Sequence, residues 1–331
     1  MTTWTLIKSF SVCLICTIIA HVAASWSAHH MLDQQMHHAI TAMKAHGWHV
    51  AYDPIIQKQT RLFGAAITYR NIDIHDDTRH RFSARALTVT HHPFLRPHLD
   101  FSTVMMRRIG GDIATASSVH LKLNRLGRRT GFRITDLSIM SESEPAFSIA
   151  AARLGGDIRI QPRDAQKLLR GAISARSDRL TLSPTIGTDN SGSFPLPPVT
   201  LSDAHIKAAL DLKPGASSAA LHLTRAYIQQ VAGHVGPLAV ILSGEIDGQG
   251  DGRLTTELRD IRSAIERWRS AQRMPLEDTA RTRLMDLLEK TDEHVPDHMI
   301  FSLRVQHWQI EPAAHAQLRT LFNAITVSSP A

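Results

Sequence analysis

Residues 119–139 read VHLKLNRLGRRTGFRITDLSI. Val119, Leu121 and Leu123 alternate with His120 and Lys122. A period of two sets the apolar residues on one face of a strand and the polar ones on the other. Leu126 to Gly131 then turns the chain, and Phe132 to Ile139 alternates back. The stretch reads as a β-hairpin with a basic turn, which points to an antiparallel sheet.

The same signal recurs outward from this hairpin. Upstream, Trp48–Tyr52, Phe63–His75 and Phe82–Thr90 alternate. Downstream, Asp157–Ile160 is a short strand, and Pro162–Leu169 suggests a short helix. Residues 184–198 gather prolines and glycines among Ser, Thr, Asp and Asn, the mark of a loop. His205–Leu212 and Ala219–Ile228 alternate again. Leu238–Ile246 and Arg253–Leu258 flank the glycine-rich turn 247–252 as a second hairpin. Met299–Val305 is a last strand.

Helical spacing appears at both ends. Residues 27–46 place Leu32, Met36, Ala39, Ile40 and Met43 on one stripe, and Gly47 is a stop. Ile261, Ala264, Ile265 and Trp268 mark a helical face, as do Leu276, Ala280, Leu284, Leu287 and Leu288. Pro312 opens a final helix carrying Ala314, Leu318, Leu321, Phe322 and Ile325. The expected class is α+β. It consists of a mainly antiparallel, curved sheet with an N-terminal anchor/stalk helix and C-terminal helices packed on the sheet.

Phe10–Ala24 contains no Asp, Glu, Lys or Arg, and Lys8 precedes it. This is an export segment. Val22-Ala23-Ala24 offers a small-residue cleavage site, which would start the mature chain at Ser25. The stretch 6–26 is also about 20 residues, enough to span a bilayer, with Trp4 and Trp26 as interfacial belts. Length and tryptophan placement favour the anchor. Lys8 favours a cytoplasmic N-terminus. The expected layout is an anchor or signal over 1–26, a stalk helix over 27–46 and a periplasmic β-rich domain over 47–331. Residues 184–198 either divide that domain into two subdomains or form a surface excursion. The expected location is the bacterial inner membrane, crossed once through residues 6–26, with the bulk of the chain in the periplasm.

The 331 residues are 43 % hydrophobic and 20 % charged, a globular balance large enough to build a core without disulfides. The two cysteines, Cys13 and Cys16, both lie in the export segment. Thiol catalysis and a disulfide framework are therefore excluded from the rest. Ile15 stands where a lipoprotein signal needs a small residue before Cys16. The net charge of +7 is scattered without a Lys/Arg run or an aromatic platform, so no nucleic-acid partner is expected.

The chemistry-bearing motifs each read more simply as structure. His29, His30, His37 and His38, with Met31 and Met36, suit a soft-metal site only if the helix also fixes ligand number and geometry. Otherwise they are a solvated helix face. His91-His92 ends a strand before Pro93, and Pro296 separates His294 from His298. Asp247-Gly248-Gln249-Gly250-Asp251-Gly252 opens like a calcium loop, but Leu258 occupies the position of the bidentate glutamate. A hairpin turn explains it. No Gly-x-Ser-x-Gly elbow or His-Glu-x-x-His pair occurs. No catalytic, cofactor-binding or metal residues are therefore assigned, and no cofactor is expected.

Several short motifs resemble a family of membrane-anchored alphaproteobacterial proteins, the domain of unknown function numbered twenty-one twenty-five. They are Gly47-Trp48-His49-Val50-Ala51-Tyr52, Asn71-Ile72-Asp73-Ile74, Phe82-Ser83-Ala84-Arg85-Ala86-Leu87, Gly236-Pro237-Leu238 and Gly252-Arg253-Leu254-Thr255 running on to Ile261 and Trp268. The likeness spans residues 30 to 325. One departure is Gln59-Thr60-Arg61, where the family tends to carry a Gly-Pro-like step. The resemblance brings no known activity, cofactor or catalytic residue, and implies a layout like that of envelope proteins with extended sheets that handle lipid. The expected role is non-enzymatic. One form of it is binding of lipid or another apolar envelope ligand, with Arg125, Arg128 and Arg129 suited to anionic headgroups. Another is a scaffold for an envelope protein. An envelope hydrolase assembled from dispersed Asp, His and Ser is the enzymatic alternative.

Overall fold

A computed structural model of the chain describes residues 3–61, 64–76, 80–92, 97–108, 111–123, 129–141, 147–163, 168–186, 194–195, 199–214, 221–270, 297–306 and 309–310. In the first helix, side chains are described at His21 and from Ser25 onward. The chain divides into two compact units, Met1–Leu137 and Ser138–Ala331.

The first unit begins with helix α1 (Thr3–Ala45). Strands β1 (Trp48–Ala51) and β2 (Gln57–Arg61) both pair antiparallel with β3 (Gly64–Asp76). The chain then runs as a meander through β4 (His80–His91), β5 (His98–Arg108), β6 (Ile113–Leu123) and β7 (Arg129–Ser141), whose far end crosses the unit boundary. Register assembles one apolar face. Tyr69, Leu87, Phe101 and Val119 stand in one row across β3–β6, and Ile67, Val89, Leu99 and Leu121 in the next. The opposite face carries Thr68, Thr88, Asp100 and His120.

Alternation slips by one residue at a single level in these strands. Arg70 pairs Ala86 and Ile72 pairs Ala84, so Asn71 and Arg85 are skipped together. Thr103 and Ser117 are skipped in the same way. Asn71, Thr103 and Asp136 have φ of 50°, 47° and 51°. The slip keeps Ile72, Ala84, Val104 and Ala116 on the apolar face, out of phase with the first rows. Asn and Asp tolerate this left-handed backbone through local hydrogen bonds. Asn71 Nδ2 donates to Asp53 Oδ2 at 2.9 Å, and Ser117 Oγ donates to Asp136 Oδ2 at 2.8 Å.

Helix α1 lies across this face. Ala28 and Leu32 join Ile67, Tyr69, Ile72, Leu87 and Val89 in one buried cluster, with Met36 packed against it. The segment 27–46, expected to be a stalk helix, is instead packed on the sheet, because its i, i+4 apolar stripe has a face to bury against. Ala39, grouped with that stripe in the sequence, faces water. Gly47 ends the helix turn at φ +83°, and its N–H bonds to the Lys44 carbonyl at 3.0 Å.

The second unit holds β8 (Phe147–Arg163), β9 (Leu168–Ile186), β10 (Phe194–Pro195), β11 (Val199–Pro214), β12 (Leu221–Val235), β13 (Leu238–Asp247) and β14 (Gly252–Arg259). Helix α2 (Ile261–Ser270) and strands β15 (His298–Gln306) and β16 (Gln309–Ile310) complete it. Strand order is β8-β9-β11-β12-β13-β14-β15-β16, all antiparallel, and β10 pairs β9. Of the stretch 184–198, expected to be a loop, residues 184–186 end β9 and Phe194–Pro195 pair back on it as β10, before the chain enters β11, the hydrogen-bonded neighbour of β9 in this unit. Pro162–Arg163 and Leu168–Leu169 are strand ends rather than parts of the expected helix.

Asp297 caps α2. Its carbonyl accepts from the Ile261 N–H at 3.3 Å and its carboxylate from the Arg262 N–H at 3.1 Å. Ala264 on α2 is fully buried. The further C-terminal helices expected around Leu276–Leu288 and Ala314–Ile325 lie outside the described residues, and the described part of the fold gives them no support.

Candidate functional site

Register makes the second unit's sheet strongly two-sided. Ile158, Ile173, Ala208, Ile228, Gly244 and Leu254 form one continuous row from β8 to β14, ending on Leu303 of β15. Neighbouring rows add Ile160, Leu210, Ala226, Ile246 and Val305 on one side, and Ile206, Val231, Leu242, Thr256 and Phe301 on the other. From β8 to β15 the face is about 30 Å wide at 4.7–4.9 Å per strand. Cover is uneven. Ile246, Leu254, Leu303 and Val305 are buried in a small cluster with Ile228 and Leu242. Ile158, Ile173, Ile206 and Leu210 are half-buried, and Ile160 is 48 % exposed. Among the described residues, α2 is the helix of this unit, and it sits beside β13 rather than over β8–β11.

Gly244 lets the strands close here. Its φ is +149°, and a Cβ would stand 2.2 Å from the Arg253 carbonyl. The central row therefore runs through a position only glycine fills.

The opposite face is a lattice of charges. Arg170 Nε lies 3.1 Å from the buried Asp211 carboxylate, and Arg225 Nε lies 2.9 Å from Glu245. Both guanidinium groups flank the Tyr227 ring, at 5.4 and 5.9 Å from its centre. A surface recess of about 600 Å³ is lined by Arg225, Glu245, Asp247, Asp251, Arg253 and Arg304. Asp247 Oδ1 accepts from the Gln249 and Asp251 amides, each at 2.9 Å. Those amides, Asp251 first, hold its carboxyl below the usual carboxylate range. Across the sheet, Arg259 and then His298 do the same to Glu257 through hydrogen bonds. General acid–base work needs a group that changes protonation near the working pH. These depressed carboxylates are ionised anchors for turns and cations instead. The stretch 247–252 is the hairpin turn that Leu258 implied.

The stalk histidines do not converge. Met36 packs inward, while His30, His37 and His38 face water. His30 stacks on the Trp26 ring at 5.9 Å and 5° and contacts Gln34 at 3.1 Å. Among the described residues no three His, Cys, Asp or Glu gather as metal ligands. His91 ends β4, and His298 pairs with Glu257 at 2.7 Å. Arg129 opens β7, whereas Arg125, Arg128 and His294 lie outside the described residues. Tyr69 under α1 has its hydroxyl pushed up to about 12, first by burial and then by the nearby Asp33 and Tyr52. It is a neutral core phenol.

Among the described residues no helix is long and apolar enough to cross a membrane. The anchor assigned to 6–26 falls mainly on side chains outside those described. No protein-family model matches the chain, and neither a characterised protein nor a solved structure matches it.

Proposed function

We propose that this chain is a bacterial inner-membrane protein held by residues 6–26 of α1, with its N-terminus in the cytoplasm and the chain from about 27 onward in the periplasm. We further propose that the apolar face of its second unit takes acyl chains of membrane lipid. The family likeness carried by the Gly47–Tyr52 and Asn71–Ile74 motifs belongs to the same reading. The observation that carries the ligand is the row from Ile158 through Ile173, Ala208 and Ile228 to Leu254, whose β8–β11 end stays partly open. A half-open apolar surface of this width favours a greasy occupant. A chain tethered to a bilayer meets lipid before any other.

The test is photocrosslinking in whole cells from a benzophenone side chain placed on the full-length protein. At Ile173 or Leu210 the expected adduct is phospholipid, identified by mass. At Arg225 or Glu245, on the charged face, no lipid adduct is expected. A protein adduct at Ile173 and Leu210 in place of lipid would establish the scaffold reading. Crosslinks only to the chain's own C-terminal residues would mean that the face is filled from within.

A further inference from the structure

The first unit has two unlike ends, and α1 identifies which one faces the anchor. Ser25 Oγ donates to the Arg61 carbonyl at 3.5 Å, so residue 25 stands level with the start of β3. The other end of α1 returns to β1, whose Trp48 pairs with Asp76 at the far end of β3. Residues 3–24 of the continuous helix therefore lead off the end of the sheet marked by Arg61 and Gly64. The part of the proposed anchor beyond the sheet, residues 6–24, covers about 29 Å at 1.5 Å per residue, close to the thickness of a bilayer core.

The meander brings its other strand ends to the same level. His91 pairs Ala65, and the row Ala66, Thr90, His98, Lys122 follows it. Leu123 ends β6 and Arg129 starts β7 there. Arg61, Lys122 and Arg129 are exposed. Read as sequence, 61–64, 91–98 and 122–131 contain no Asp or Glu. Further in, Asp33 bonds to Lys58 and Asp100 to His120. The opposite end is mixed in charge. Arg81 makes two 2.9 Å bonds to Asp73, and His80 bonds to Asp76. Trp26, one residue past the Ser25 contact, is 71 % exposed. Tryptophan with that exposure suits the headgroup layer.

We infer that the Arg61–His91–His98–Lys122–Arg129 end of the first unit is a docking surface for the anionic phospholipid leaflet from which α1 emerges. The chemistry is attraction of the basic side chains at this end to lipid phosphates, within about 10 Å at ordinary salt. Docking adds headgroup contacts to the hold that the packed helix α1 already gives the sheet. The inference rests on the membrane anchor proposed above and not on the acyl-chain face.

The experiment uses the full chain in lipid nanodiscs, of phosphatidylcholine alone or with about a third phosphatidylglycerol. Hydrogen exchange is read for the β4–β5 and β6–β7 ends and for the opposite β3–β4 and β5–β6 ends. Slower exchange in the anionic discs is expected at the first pair only, about fivefold for each basic residue engaged, and its loss at high salt. Arg61→Gln with Lys122→Gln should remove most of the effect while leaving the opposite end unchanged. Equal exchange in both discs, or protection at both ends alike, overturns the docking surface but leaves the anchor intact. A chain that does not enter the discs overturns the anchor and the docking surface together.

Discussion

Thr103 holds a left-handed φ of 47° in the middle of β5. For a β-branched residue this backbone costs about 1–2 kcal/mol. Asn71 and Asp136 occupy the same kind of position with side chains that suit it. Thr103→Asn should therefore raise the stability of the first unit by about 1 kcal/mol. A urea titration followed by tryptophan fluorescence reads the shift, and an unchanged or lower midpoint would show that the crease does not strain threonine. The same crease limited what the sequence revealed. Before it Leu99 and Phe101 face the core, and after it Val104 does. A strict period of two fails at the slip, so β5 has no continuous alternating signal. In β9 the slip falls at Asp178, opposite Asp203, and the inward residues Gly171, Ala175 and Ser177 are too small to mark a face. In β3 and β4 the slip is as central, at Asn71 and Arg85, but apolar residues on both sides of it, Ile67, Tyr69, Ile72 and Ile74 in β3, still marked a strand, while in β4 the core face changes from Ala84 to Leu87 and Val89 across it.

Helix α1 was legible as a helix and misleading as a stalk. Its stripe of Leu32, Met36, Ile40 and Met43 announced a buried face, but nothing in its own sequence says what lies opposite. The partner is β3 and β4, which follow it in the chain by a short antiparallel return. The distinction is measurable. Leu32 is 2 % exposed, so Leu32→Ala should destabilise the first unit by about 2–5 kcal/mol through lost burial and a cavity. Met31, one residue away and 45 % exposed, should tolerate alanine within about 0.5 kcal/mol. Equal, small effects of both on thermal unfolding would return the segment to a free stalk. The hairpin β13–β14 was fully legible, because its turn chemistry and both flanking alternations are local. The apolar row of the second unit was not. It depends on which residues face each other across strands as distant in sequence as β8 and β14, and register between them follows only from the whole sheet.

At the scale of the molecule, the continuity of α1 ties two properties together. The helix runs unbroken from Thr3 to Ala45, and its second half is packed on the sheet. If the first half crosses a membrane, the sheet must stand on whichever side receives residue 25. Orientation is then set by the few charges flanking the apolar stretch. Lys8 stands on the N-terminal side, and Phe10–Ala24 has none. Basic residues near a span stay cytoplasmic, so the proposed anchor would deliver the sheet to the periplasm. The docking end is also basic, but its residues come after the span and belong to a long folded segment, which is translocated largely regardless of its charge. Alkaline phosphatase fused after Ala331 should be active and should sediment with the membranes. Lys8→Glu should lower that activity by weakening the orientation signal. An inactive fusion, with a cytoplasmic reporter active at the same site, would place the sheet in the cytoplasm and move both lipid contacts to the inner leaflet.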